Sequence, residues 1–194
     1  MKIKQPKKTA KKKQNNLTRC GRQAYIGSHS IRDVVQCKSN TKKEKRCRKR
    51  TAHTPKCWIH LANEDNLRVK PSNIKNAGKG LFSWKKPFKR NKFINEYTGE
   101  KTTLKKLNKR YGENIVAQYS ICDGPKKCWD AYKTTDGPPR FPNDARGTKN
   151  KNNSCFRVKN KKITLETTKG IKPHQEIYAD YGPDYWPRQQ YKKK

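Results

Sequence analysis

The stretch QCKSNTKKEKRCRKRTAHTPKCWIH, residues 36–60, constrains this chain more than any other. It is rich in Lys and Arg and has too few large aliphatic side chains to close a core, so if it folds it needs a staple. Cys37, Cys47, Cys57 and His60 can supply one, since three thiolates and one imidazole are a tetrahedral zinc set. Cys57 and His60 stand three apart, close enough to clamp one ion, and the gaps between the cysteines close loops around it. The intervening cations favour thiolate over thiol. Cys20 or His53 could replace one ligand, and a basic linker with unconnected cysteines is the alternative. Four protein ligands leave no open coordination position, so the expected role of the metal is structural.

The remaining cysteines bear on compartment. There are seven in all, an odd number, and the start MKIKQPKKTAKKKQ has positive charge without the apolar segment of an export signal. Metal binding plus free thiols is therefore expected over a disulfide framework, in an intracellular protein. No run approaches the roughly 18 apolar residues of a membrane span.

Fifty Lys plus Arg stand against 15 Asp plus Glu, a formal charge of +35. The excess is spread over the chain: residues 1–60 carry 19 basic and two acidic residues, and residues 61–194 carry 31 and 13. Part of it could be coding drift, because Lys outnumbers Arg 37 to 13 and Asn reaches 16. The balance still implies a partner of negative charge, with DNA or nucleosomes the expected one.

Four segments follow from these shifts in composition. Residues 1–19 are expected to be a disordered basic tail, 20–64 a small Cys3His zinc-binding module, 67–186 a mostly β domain, and 187–194 a basic C-terminal tail. Within 67–186, LFSW, KFINEYTG, NIVAQYSI, CFRV, KITLETT and EIYADY read as short strands between Gly, Pro, Asn and Lys turns. One short helix is expected over LKKLNKRYG, starting near Thr102 or Thr103, with Leu104, Leu107 and Tyr111 on one face and Gly112 at its end.

Four ordered motifs lie in the same region: NAGKGLF (76–82), FINEYTGE (93–100), PRFPNDARG (139–147) and KGIKPHQEIYADYG (169–182). Together they resemble a SET-domain protein lysine methyltransferase. The first module, in turn, resembles small Cys-x9-Cys-x9-Cys-x2-His units of large DNA viruses and some protists. The resemblance implies the SET fold, small β-sheets around a knot-like C-terminal substructure. It also implies transfer of a methyl group from S-adenosyl-L-methionine to a lysine amine.

Carried over by motif, the resemblance implies Tyr181 as the central catalytic tyrosine, Tyr97 on the lysine channel and Tyr119 on the wall of the cofactor or lysine site. Gly78, Lys79 and Gly80 would let the backbone approach the cofactor, and Asn143 would help to hold it. Asp144 stands where the family has His and would serve in its place. Glu100 would fix its loop, Glu176 matches the family's glutamate, and His174 would be a surface turn residue. Ala179, where the family often has Tyr or Phe, tilts toward di- or trimethylation. Tyr185 and Trp186 could complete the channel wall or close it as an apolar plug.

The expected substrate is a histone or a DNA-packaging protein, reached in a host nucleus, viral factory or virion. The rival is a catalytically degenerate SET-like DNA-binding or virion structural protein, drawn from the charge and the missing His. A non-histone target, such as a ribosomal or replication protein, is the third reading.

Overall fold

Short strands dominate the computed structural model, which describes residues 34–112, 119–133, 135–182 and 185, with the backbone of 22–24. In chain order the elements are β1 (Arg22–Ala24), β2 (Val35–Gln36), β3 (Arg50–Thr51), α1 (Trp58–Glu64), β4 (Leu67–Pro71), β5 (Lys79–Ser83), β6 (Phe93–Tyr97) and β7 (Glu100–Thr102). Then come α2 (Leu104–Tyr111), β8 (Ser120–Cys122), β9 (Cys128–Asp130), a 3-10 turn (Pro138–Arg140), β10 (Ser154–Lys159), β11 (Lys162–Thr167) and β12 (Glu176–Ile177). The expected tails 1–19 and 187–194, Cys20 and Trp186 lie outside the described residues. No described helix is long and apolar enough to cross a membrane.

The strands form sheets ordered β1-β8-β9-β7, β10-β11-β6 and β12-β5-β4, with β2 and β3 paired apart. Their inner faces share one core, in which Leu67, Leu81, Tyr97, Ile121, Phe156, Leu165 and Ile177 are essentially inaccessible. β5 buries four of its five residues because it is the middle strand of its sheet.

The expected helix is α2. Thr103 caps it through a side-chain oxygen that accepts the Lys106 N–H, and Gly112 ends it at φ +100°, a conformation open to glycine. Leu107 is buried against Cys122 and Cys128 with Tyr111 beside it, whereas Leu104 is exposed at the rim.

Two strands are shorter than their sequence patterns. NIVAQYSI contributes only Ser120 and Ile121 to β8, which runs on to Cys122; residues 114–118 lie outside the described set. EIYADY contributes only Glu176–Ile177, because the chain then leaves the sheet. There it runs parallel to two segments at once, with Tyr178 bridged to Asn143 and Ala179 to Ser154. Asn153 ties this knot: its side chain accepts the Tyr178 N–H and donates to the Glu176 carbonyl.

One expectation is corrected. Cys122 and Cys128 face each other across the β8–β9 hairpin and are joined in a disulfide. Among the described cysteines, Cys37, Cys47, Cys57 and Cys155 keep their thiols.

Candidate active site and metal centre

In the N-terminal module, β2–β3 and α1 bring the four predicted ligands together. Cys37 enters after β2, its N–H bonded to the Lys49 carbonyl, and Cys47 is held by the Ser39 carbonyl. Cys57 precedes α1, so one turn of helix puts His60 beside it. The ligand atoms of Cys37, Cys47, Cys57 and His60 all lie within 4.8 Å of one another. His60 Nδ1 is 3.4 Å from Cys37 Sγ and 3.2 Å from Cys57 Sγ.

Burial alone would raise the Cys37 thiol, but N–H groups of Cys57 and Ser39 outweigh it and bring its pKa down to about 7. Burial raises that of Cys57. The donor set and its closeness fit a tetrahedral zinc ion. His53, the alternative ligand, lies elsewhere: its ring packs edge-on to Phe141 at 6.1 Å.

A cleft of about 510 Å³ lies between the loop before β5, the segment after the 3-10 turn and the end of the knot. Of the predicted residues, Gly78, Lys79, Tyr119, Asn143, Asp144, Tyr181 and Tyr185 line it, joined by Lys75, Arg140 and Arg146. Gly80 and Tyr97 do not line it. Ala179 is fully buried in the knot and is likewise absent from the lining.

The loop is held by Glu176, a carboxylate that is 1% exposed. It accepts from Ser72 Oγ at 2.6 Å, the Asn73 N–H at 2.7 Å and the Tyr178 hydroxyl at 2.9 Å. A Cβ on Gly80 would stand 2.2 Å from Glu176 Oε1, so this glycine makes room for the carboxylate. Gly78 has φ +70° and nothing within 4 Å of where its Cβ would be. Asn143 ties the opposite wall to the loop by donating to the Lys79 carbonyl at 3.0 Å.

Tyr181 is held at two points. Its N–H donates to Asp144 Oδ2 at 3.0 Å and its hydroxyl to the Pro142 carbonyl at 2.9 Å. Its ring centroid is 4.4 Å from that of Tyr185. Burial, with Tyr185 and Asp144 nearby, pushes the Tyr181 hydroxyl well above the usual tyrosine range. Tyr97 sits behind the wall and donates to the Tyr119 carbonyl at 2.7 Å. Burial raises both of these phenols, Tyr97 strongly, and outweighs the pull of Arg140.

Sequence reasoning quoted Arg140 within its motif but gave it no role. The residue is 3% exposed, and its guanidinium donates to the carbonyls of Ala131, Tyr132 and Lys133 on one side and His53 on the other. Its Cζ lies 5.4 Å from the Tyr119 ring centroid and 4.9 Å from that of Phe141. It thus joins the N-terminal module to the cleft. The one charged residue in the run Pro138–Pro142, otherwise proline and phenylalanine, was the available signal.

Glu100 pairs with Arg110 at 2.6 Å, which lowers its carboxyl pKa and fixes β7 to α2. His174 is exposed in a left-handed turn at φ +61°.

The SET domain family profile matches residues 78–182. No curated protein is significantly similar in sequence. Among solved structures, the chain resembles a polycomb repressive complex 2 entitled "ctPRC2 in an autoinhibited conformation bound to S-adenosylmethionine", with TM-score 0.52 and 22% identity. The match covers 65% of this chain and 16% of that one. The crystal structure of the Chaetomium thermophilum polycomb repressive complex 2 matches with TM-score 0.51 and 21% identity, over 61% and 15% of the two chains. This chain therefore spans a small part of the length of those it resembles.

Proposed function

The chain belongs to the SET domain family, and from that premise we propose that it is an S-adenosylmethionine-dependent protein-lysine N-methyltransferase. We take its substrate to be a histone or a DNA-packaging protein. The observation that carries the reading is Tyr181, fixed through its amide and its hydroxyl on the wall of a cleft that Gly78 and Asn143 also line.

The cleft suits the cofactor. Its volume is within the usual range for small-molecule sites. Gly78 leaves open space at its edge, and Lys75, Lys79 and Arg146 complement a carboxylate. Gly78, Lys79, Asn143, Asp144 and Tyr119 would hold it. When bound, S-adenosylmethionine supplies an electrophilic methyl on a sulfonium.

The chain's own residues shape the rest. A lysine amine reacts only when neutral, and the apolar faces of Tyr119 and Phe141, with the nearby Arg140 charge, disfavour its ammonium form. Tyr181 stays protonated at neutral pH, so it orients the amine through its hydroxyl rather than acting as a base. Tyr97 positions Tyr119 through its main-chain carbonyl. Zinc at Cys37, Cys47, Cys57 and His60 would be structural, since four ligands leave no open position.

The +35 charge supports anchoring on nucleosomal or packaged DNA. DNA would also relieve the repulsion between this chain and a basic substrate. Such DNA would set its location: a nucleus or, for a viral chain, a factory or virion.

The test is labelled-methyl transfer by the zinc-loaded chain to histones and DNA-packaging proteins, beside calorimetric titration with the cofactor. Tyr181→Phe is expected to lower transfer ~100-fold with cofactor affinity kept, and Asn143→Ala to weaken cofactor binding. No cofactor binding at millimolar concentration would overturn the proposal and favour a degenerate, DNA-binding scaffold.

A further inference from the structure

Trp58, the first residue of α1, is 58% exposed, although an indole is among the costliest side chains to leave in water. It is not loose. Arg68 on β4 holds its Cζ 4.5 Å from the Trp58 ring centroid and 4.1 Å from that of Trp84, just after β5. Trp84 in turn meets the His174 ring edge-on at 4.8 Å. Arg68 is paired in register with Phe82, so its stem is fixed by the sheet. Its Nε is buried without a hydrogen-bond partner among the described residues, so aromatic faces are its main support there. The result is a ladder of His174, Trp84, Arg68 and Trp58 that ends in an open indole.

The surroundings are basic. Lys85 and Lys86 follow Trp84 and are exposed. Lys86 is fixed by its backbone, which donates to Asn66 Oδ1 at 3.0 Å and accepts from Asn66 Nδ2 at 2.7 Å. The acids at the end of α1 are already matched, with Lys56 3.0 Å from Glu64 and 2.7 Å from Asp65. A rigid, flat π face beside exposed cations is the arrangement that stacks a base and tracks a phosphate backbone.

We propose that Trp58 is a stacking platform for an unpaired base of a single-stranded nucleic acid, with Lys85 and Lys86 taking the adjacent phosphates. A duplex keeps its base faces stacked inside and has none to offer the indole. A second copy of this chain would bring another +35 and be repelled. The indole face and the lysine cations recognise the base face and the phosphate, which DNA and RNA share, so both kinds of strand should bind alike. This site does not depend on the methyltransferase reading.

The test uses the full zinc-loaded chain at fixed salt, titrated with 15-nucleotide oligothymidine, oligouridine and a 15-base-pair DNA duplex. Trp58→Ala is expected to weaken both single strands about tenfold and the duplex less than twofold, with Trp58→Phe intermediate. Lys85→Ala with Lys86→Ala should flatten the salt dependence of single-strand binding. Zinc content and circular dichroism check that each variant is folded. Equal losses on single strand and duplex, unchanged single-strand affinity, or a change in self-association instead would each overturn the proposal.

Discussion

Asp144 Oδ2 accepts the main-chain N–H of Tyr181 at 3.0 Å, while its Oδ1 accepts from the Arg146 N–H and Asn152 Nδ2, both at 2.9 Å. The residue that departs from the family motif therefore organises the tyrosine on which the proposed chemistry depends. A carboxylate can accept all three bonds; an amide keeps one acceptor oxygen, and alanine keeps none. Asp144→Asn is expected to cost about 1 kcal/mol and Asp144→Ala about 3 kcal/mol, since buried donors then lose their acceptors. Urea unfolding of the two variants checks the order. Equal stability of wild type and Asp144→Ala would show that the contact is incidental.

The two glycines of the GxG motif should separate. Gly80→Ala forces a Cβ into a carboxylate that Ser72, Asn73 and Tyr178 hold in place, so it should destabilise by about 3 kcal/mol. Gly78→Ala meets open space and pays only for its left-handed backbone, about 1 kcal/mol. Its larger effect should be on cofactor affinity, because Gly78 lines the cleft. Denaturation midpoints and calorimetric titration of both variants read the split.

Metal removal should reach beyond the module. Among the described residues its own apolar cluster is Cys37, Cys47 and Cys57 with Ile59 against them, so zinc bound there would supply on the order of 10 kcal/mol of its stability. Yet Leu61 of α1 belongs to the main core, and Arg140 bonds the His53 carbonyl. A strong chelator, or Cys47→Ser, should release one zinc per chain and lower the thermal midpoint of the whole protein. A midpoint unmoved by complete metal loss would contradict this coupling.

Alkaline pH should unfold the chain by way of its tyrosines. Burial raises Tyr97, Tyr119 and Tyr181 above their unfolded values near 10. Below pH ~10 both states hold these protons and stability is at its full value. Above it the unfolded chain releases protons that the native state retains, so stability falls as pH rises toward the folded values. Each such group contributes a slope of ~1.4 kcal/mol per pH unit. Unfolding measured between pH 8 and 11 should show the decline, and Tyr97→Phe should make it shallower.

Local chemistry was the most legible part of this chain. The ends of α2 were legible, the start to Thr102 or Thr103 and the stop to Gly112, because capping and positive φ are written in single residues. The grouping of Cys37, Cys47, Cys57 and His60 was legible from residue type and spacing, and the structure brings those four side chains together. Positions within the cleft were only partly so. Motifs carry residues to a neighbourhood but not to a wall, and Tyr97 and Gly80 came to lie behind it. The Cys122–Cys128 bond escaped because it depends on hairpin register, which neither cysteine's neighbours announce. Arg140 escaped because its partners are main-chain carbonyls, which leave no trace in side-chain identity.

The parallel seating of Tyr178 and Ala179 between Asn143 and Ser154 also sets an order of events. That strand cannot be seated until the two segments flanking it are in place; the Asn152 side chain links those segments to each other, and the Asn153 side chain ties the strand to its own segment. Contacts between residues so far apart in sequence form late, because their loops are costly to close. Tyr181, three residues beyond Tyr178, therefore takes up its position among the last residues to do so. The cleft and its central hydroxyl are completed in the same closing step, and a partly folded chain has neither.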